Sequence, residues 1–315
     1  MKENISELFK KFIEDCRYIK RLRPETIRTY SEAFKTFIKV MPEVVNVKLL
    51  TREMLTLYFK RLETRGRKVG KDTIKIGVKD STIKTYQNRL NVFFTWLVNM
   101  QHIETNPFIG MKFPNPVYED SRALEQDSID KIFAAVALHS INSLIHKRDI
   151  AILSLLMFCG LRRNELISLQ VNDVDFENSM LVIKGETSKS KKTHSVPLHP
   201  TLGMHLKDYL KERCKKEYKT QYLIISTNRD RGLSSDGLKH WVKRLVKLSG
   251  VKFHLHKFRH TFACNLAKNN VSVFNIQTLM GHKDYKMTLS YLRSVKTKDL
   301  RDEINRLYSN VDNFH

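Results

Sequence analysis

Cysteine is scarce in this chain, with four in 315 residues, at Cys16, Cys159, Cys214 and Cys264, and none forms a C-x-x-C pair. That excludes a disulfide scaffold, argues against a structural zinc ribbon, and makes a reducing cytoplasm the expected compartment. Long apolar runs are missing as well. The longest, Ile150 to Leu161, falls short of the ~20 residues a bilayer crossing needs and reads as a buried helix. The opening MKENISELFKKF lacks the apolar stretch of a signal peptide. There is no glycine-rich phosphate loop, no dinucleotide fingerprint and no internal repeat. Hydrophobic residues at 41% and aromatics at 10% exclude a disordered chain, a collagen-like fibre and a low-complexity polymer.

Negative charge is also in short supply. Lys and Arg number 56 against 33 Asp and Glu, a net charge of +23. Cutting the sequence after Lys112 leaves 23 basic and 12 acidic residues before the cut, and 33 and 21 after it. Both halves are therefore basic, by +11 and +12, so this is not a basic tail on a neutral body. A polyanion partner follows, and double-stranded DNA is the leading candidate.

The first part reads as four amphipathic helices. Ile5, Leu8, Phe9, Phe12, Ile13 and Cys16 recur at helical spacing. Pro24 opens a second helix in the first turn, where its missing N–H is harmless, with a stripe from Ile27 to Ile38. Leu55, Tyr58, Phe59 and Leu62 mark a third, and Ser81 is the expected N-cap of a fourth running to Leu97. The basic, glycine-punctuated segment 65–80 reads as a solvated loop or short β-hairpin, or as a loop that contacts phosphates. Residues 109–122 are the expected linker. Beyond it, a helix is expected around Ser128–Val136 and a buried one over 150–159. Strands are expected at Met180–Ile183 and Ser195–Leu198, with another at Tyr222–Ser226 and helices again from Ser234.

Three segments carry the chemistry. Cys159-Gly160-Leu161-Arg162-Arg163-Asn164-Glu165-Leu166 follows the buried run, which anchors Arg162 at a glycine turn. His254 to Ala263 reads HLHKFRHTFA, and Leu279-Met280-Gly281-His282 is followed nine residues on by Tyr291. Arginine's planar fork binds two phosphate oxygens at once. A tyrosine hydroxyl becomes a nucleophile when a base or a positive field aids its deprotonation. Without acidic clusters to hold Mg²⁺, the cations must carry the transition-state charge. His256 and His260 lie four apart and could face one zinc ion, but no H-E-x-x-H pattern accompanies them.

Together these segments resemble the boxes of the tyrosine recombinase (phage-integrase) family: G-L-R-x-x-E-L, then H-x-x-R-H-x-F-A, then L-x-G-H with its tyrosine. The resemblance runs from about Leu124 to Tyr291, and the helical first part is similar to that family's core-binding, SAM-like domain. It implies a mainly α, two-domain clamp, with an α-rich catalytic domain carrying a small antiparallel sheet. The bounds are 1–108 for the core-binding domain, 109–122 for the linker, 123–296 for the catalytic domain and 297–315 for a C-terminal tail. Tyr291 is implied to attack the scissile phosphate and form a 3′-phosphotyrosyl link. Arg162 and Arg259 would grip the non-bridging oxygens, and His256 and His282 would hydrogen-bond the phosphate region. Glu165 would orient an arginine. A lysine of the turn, Lys184, Lys189, Lys191 or Lys192, would protonate the leaving 5′ oxygen; family spacing falls on Lys189, with Lys192 second. Cys159 stands where the family commonly has threonine. The resemblance further implies site-specific recombination or integration without cofactor or metal, by a homo-oligomer, a tetramer at synapsis, with no membrane role. The tail, with Leu300, Ile304 and Leu307 on one helical face, would dock on a neighbouring protomer. The short lead into the first helix suits a compact Xer-like or mobile-element enzyme without an arm-binding domain. Type IB topoisomerase activity and a non-catalytic DNA-binding regulator are the alternatives.

Overall fold

The computed structural model describes residues 4–70, 73–113, 123–186, 192–227, 229–282 and 284–292. The chain divides into two compact units, Met1–Tyr118 and Glu119–His315. It is mainly helical.

The first unit contains α1 (Ile5–Glu14), α2 (Pro24–Val40), α3 (Arg52–Thr64), a hairpin of β1 (Gly66–Val69) and β2 (Thr73–Ile76), and α4 (Asp80–Asn99). Each helix buries the stripe its spacing dictates. Phe9, Phe34 and Phe93 meet at the centre, Phe9 stacked on Phe34 at 3.9 Å and Phe93 edge-on to both. Thr51 caps α3, its hydroxyl accepting from the Met54 N–H at 3.2 Å. The first stripe ends differently from its periodicity: Asp15–Ile19 widens into a π turn, whose Asp15 carboxylate accepts from the buried Trp96 indole at 2.7 Å. The expected cap of α4 is corrected too. The helix begins at Asp80 with Lys79 in the cap position, and Ser81 lies inside the first turn. Segment 65–80 resolves into the hairpin plus the lead into α4, and Phe113 packs on Phe59 at 4.8 Å.

The second unit contains α5 (Gln126–His139), α6 (Ser143–Cys159), α7 (Arg163–Ser168), β3 (Val174–Asp175), β4 (Met180–Ile183), β5 (His194–Pro197), α8 (Pro200–Cys214), α9 (Ser235–Ser249), α10 (Leu255–Lys268), α11 (Val273–Leu279) and α12 (Tyr285–Leu292). Helix α6 is buried nearly all round, as its unbroken apolar run requires, and packs against α8 and α10. The sheet is antiparallel in the order β3-β4-β5, with Leu181 opposite Val196 and Ile183 opposite His194. The expected strand at Tyr222–Ser226 is not one. Tyr222 bridges Gln170 and Ile225 bridges Gly232, so the segment pairs first with one neighbour and then with another, and no continuous ladder forms. Its apolar residues Leu223, Ile224 and Ile225 are fully buried, which explains the strand-like pattern. No helix among the described residues is long and apolar enough to cross a membrane.

Candidate active site

The site is assembled at the ends of α6, α10 and α11. Helix α6 stops at Gly160, whose backbone is left-handed at φ +56°; a Cβ there would sit 2.4 Å from the Phe262 ring. The chain reverses and Arg162 becomes the N-cap of α7. Three residues on, buried Glu165 turns back. Its Oε2 accepts from the Arg162 backbone N–H and its Oε1 from the Arg162 guanidinium, both at 2.8 Å. Glu165 Oε2 also faces Arg259 Nη1 at 3.7 Å. Burial alone would raise this carboxyl, but the Arg162 N–H, both guanidiniums and their charge outweigh it and hold it below the usual range. One carboxylate thus serves two arginines and leaves the cluster with a net positive charge.

Arg259, in the second turn of α10, is 2% exposed. Its Nη1 donates to the Gly160 carbonyl at 2.7 Å and its Nη2 to the Met280 carbonyl at 2.6 Å. Nη2 also lies 2.9 Å from His282 Nε2. A guanidinium only donates, so that nitrogen is the acceptor and the ring proton sits on Nδ1. Nδ1 then donates to the Thr288 hydroxyl at 2.9 Å. Burial, followed by the charges of Arg259 and Arg162, pushes the His282 pKa down to about 3, which fits a neutral imidazole. Thr288 is fully buried on α12, one turn before Tyr291. The histidine therefore fixes the helix that carries the tyrosine. Tyr291 belongs to α12, though its side chain lies outside what is described.

His256 occupies the first turn of α10, three residues before Arg259 and on the same side. Its ring meets that of His260 edge to face at 5.0 Å, and its charge is felt by His282. No cluster of potential metal ligands occurs among the described residues. Lys189 and Lys191 lie outside the described residues. Lys184 is engaged by other partners, with Nζ 2.8 Å from Asp173 Oδ1 and donating to Gln170 Oε1 at 2.9 Å. Lys192 is exposed just before β5. Cys159 is buried, and burial drives its thiol up to about 12, so it is inert at neutral pH.

Two residues of the cluster escape sequence reasoning. Thr288 carries no motif signal beyond lying between His282 and Tyr291. His194, in β5, has its ring pressed on the Gly281 backbone, and it senses Glu165, Arg259 and Arg162 electrostatically. Its Nδ1 is buried with no hydrogen-bond partner, and burial lowers its pKa. His194 props the turn that aims both the Met280 carbonyl and His282. Gly281 is left-handed at φ +57°, and a Cβ there would lie 2.5 Å from His194 Cε1. Gly281→Ala therefore adds backbone strain of roughly 1–3 kcal/mol and displaces the ring. We expect DNA cleavage to slow at least tenfold, with part of the rate recovered in Gly281→Ala/His194→Ala, which removes the clash but not the strain. An unchanged rate in the single variant would show that this contact does not matter.

Both units match known proteins. The family model described as Phage integrase family matches residues 122–298, and that described as Phage integrase, N-terminal SAM-like domain matches 8–104. Tyrosine recombinase XerA of Saccharolobus solfataricus is 30% identical over 279 residues, 88% of this chain and 85% of that protein. Among solved structures, the Tn1549 transposon integrase in complex with transposon right end DNA superposes with a TM-score of 0.78 at 19% identity, covering 97% of this chain and 99% of that one. A lambda integrase tetramer bound to a Holliday junction gives 0.69 at 19% identity, covering 92% and 77%. The chain belongs to the phage integrase family and is a tyrosine-type site-specific DNA recombinase. These relationships support recombination over topoisomerase-like relaxation or non-catalytic regulation.

Proposed function

We propose that this chain cuts and rejoins duplex DNA with Tyr291 as nucleophile and Arg162, Lys189, His256, Arg259 and His282 as its partners. The observation that carries the assignment is the Arg259 guanidinium, which ties the Gly160 turn, the Met280 carbonyl and His282 together from all three motif segments. The Tyr291 hydroxyl gives up its proton to His256 or to water as its oxygen bonds to phosphorus, and the P–O5′ bond breaks. Lys189 gives its proton to the departing 5′ oxygen. Arg162 and Arg259 hold the non-bridging oxygens, with Arg259 exchanging protein acceptors for phosphate oxygens as DNA enters. Glu165 positions both arginines. His256 and His282 donate to or accept from the phosphate region, the latter as a neutral ring. The bond energy is kept in the phosphotyrosyl link, so a 5′-hydroxyl from another strand reverses the step without nucleotide cofactor or metal.

The division at 109–122 puts two basic domains on the duplex, in the cytoplasm. Synapsis brings four protomers together, as in the lambda integrase tetramer on its junction. The segment after Thr297, outside the described residues, docks on the adjacent protomer. The test is strand exchange between two labelled duplexes bearing the site footprinted beside the gene, in EDTA and without ATP. Recombinant strands are expected. Relaxation of supercoiled DNA without exchange, or a need for metal, would contradict the proposal. On the same duplexes Lys189→Ala should cleave poorly, and recover on a 5′-bridging phosphorothiolate whose leaving group needs no proton. Recovery in Lys192→Ala alone would transfer the role to Lys192.

A further inference from the structure

The β1–β2 hairpin of the first unit has no core to cover. All four residues of β2 are exposed, Ile74 by 76% and Ile76 by 79%. An isolated two-stranded hairpin is marginal in water, and exposed branched apolar side chains add nothing to its stability there. The root is nevertheless firmly held. Arg67 Nε donates to the Gly77 carbonyl at 2.7 Å, and the Gly77 N–H donates to the Arg65 carbonyl at 2.9 Å. The register pairs Lys68 with Ile74 and Gly66 with Ile76, so Ile74, Ile76 and Lys68 share one face, while Arg67 and Lys75 share the other.

At the root lies a cleft lined by Lys39, Arg61, Arg65, Arg67 and Lys68, with threonines and no carboxylate among its lining residues. Arg61 is satisfied by Glu43 at 2.6 Å and the Val40 carbonyl at 2.9 Å. Arg65 Nε is different: it is buried without a hydrogen-bond partner. Arg65 as a whole is only half-buried, in a cleft wall of cations without a carboxylate, a setting that suits an anionic oxygen.

We propose that this hairpin is a sequence-reading ribbon that enters the major groove of the duplex, with the cleft at its root seating a backbone phosphate. The inference rests on the recombinase reading for the presence of DNA. A two-stranded ribbon fits the ~12 Å major groove, where thymine displays its C5 methyl and guanine displays O6 and N7. Ile74 and Ile76 meet thymine methyls, and Lys68 on the same face reaches a guanine edge. The cleft supplies the sequence-independent part of the affinity.

A duplex is first selected by the wild-type protein from a randomised pool. Ile74→Ser/Ile76→Ser should bind this duplex at least tenfold more weakly, bind an unselected duplex within about twofold of wild type, and melt unchanged. Replacing thymine by uracil within the hairpin footprint removes the methyls. It should weaken wild-type binding several-fold and leave the double variant no weaker. Unchanged affinity with the same selected sequence, or indifference of the wild type to uracil, would overturn the proposal. So would a loss confined to cooperative filling of paired sites, which would assign the isoleucines to a protein partner. If the double variant fails to fold, the uracil series on wild type decides alone. A nicked form of the selected duplex separates this from the underlying reading: absence of any covalent adduct with wild-type protein counts against the recombinase chemistry, whatever the hairpin does.

Discussion

Replacing Tyr291 by phenylalanine is expected to abolish covalent attachment to DNA while leaving binding intact. The substitution removes one oxygen from α12 and no cation, and the salt-sensitive phosphate contacts that dominate affinity come from the 56 lysines and arginines. The helix that carries this tyrosine is tied to the arginine cluster. Thr288, one turn earlier, is fully buried and bound to His282, which is itself bound to Arg259, so the helix is registered against the arginine cluster through two hydrogen bonds. A phenol brought to a phosphate gripped by two guanidiniums that share a single carboxylate would meet a positive field that favours its phenolate. The measurement is a nicked suicide duplex whose short 5′ fragment diffuses away after cleavage, followed by denaturing electrophoresis. Wild type should be trapped at the 3′ phosphate, and Tyr291→Phe should give no shifted band while retaining its binding curve. Tyr285, 53% exposed on the same helix, is the control. An adduct that persists in Tyr291→Phe and disappears in Tyr285→Phe would reassign the nucleophile.

How far the sequence alone could be read depends on the range of the interaction. Helices α2, α3 and the buried α6 are legible because periodicity and apolar runs act within one element. So is the cluster of Arg162, Arg259 and His282, because motif order and spacing stand in for contacts between residues about 100 positions apart. What escapes is decided between elements. Ser81 has the chemistry of a cap, yet the chain leaving the hairpin starts α4 at Asp80. Leu223, Ile224 and Ile225 look like a strand because burial demands apolar residues whatever the backbone does. His194 lies in a strand with an unremarkable pattern, and only the fold sets its ring on Gly281. The two-residue strand β3 is too short to leave any periodicity.

Arg259→Lys should reduce cleavage by about 10²–10³-fold, the usual effect of losing one preorganised donor at a developing charge, ~2.7–4 kcal/mol. The charge is kept, so the loss isolates geometry. A lysine ammonium is a compact point charge and cannot span the Gly160 carbonyl, the Met280 carbonyl and His282 with a planar fork. At least one of these groups is left unpaired in a buried site, which destabilises the fold by roughly 1–3 kcal/mol as well. Melting must therefore be followed alongside cleavage. Arg162→Lys provides the comparison, because its side chain is 17% exposed and its backbone N–H to Glu165 survives the change. It should melt close to wild type and still cleave poorly. DNA affinity at moderate salt should stay within about threefold for both, because the remaining cations carry it. Single-turnover cleavage at saturating protein, run well below both melting temperatures, removes binding and unfolding from the comparison. If Arg259→Lys then cleaves at the wild-type rate, the bidentate role fails, and Arg259 is left as a structural tie between the three segments.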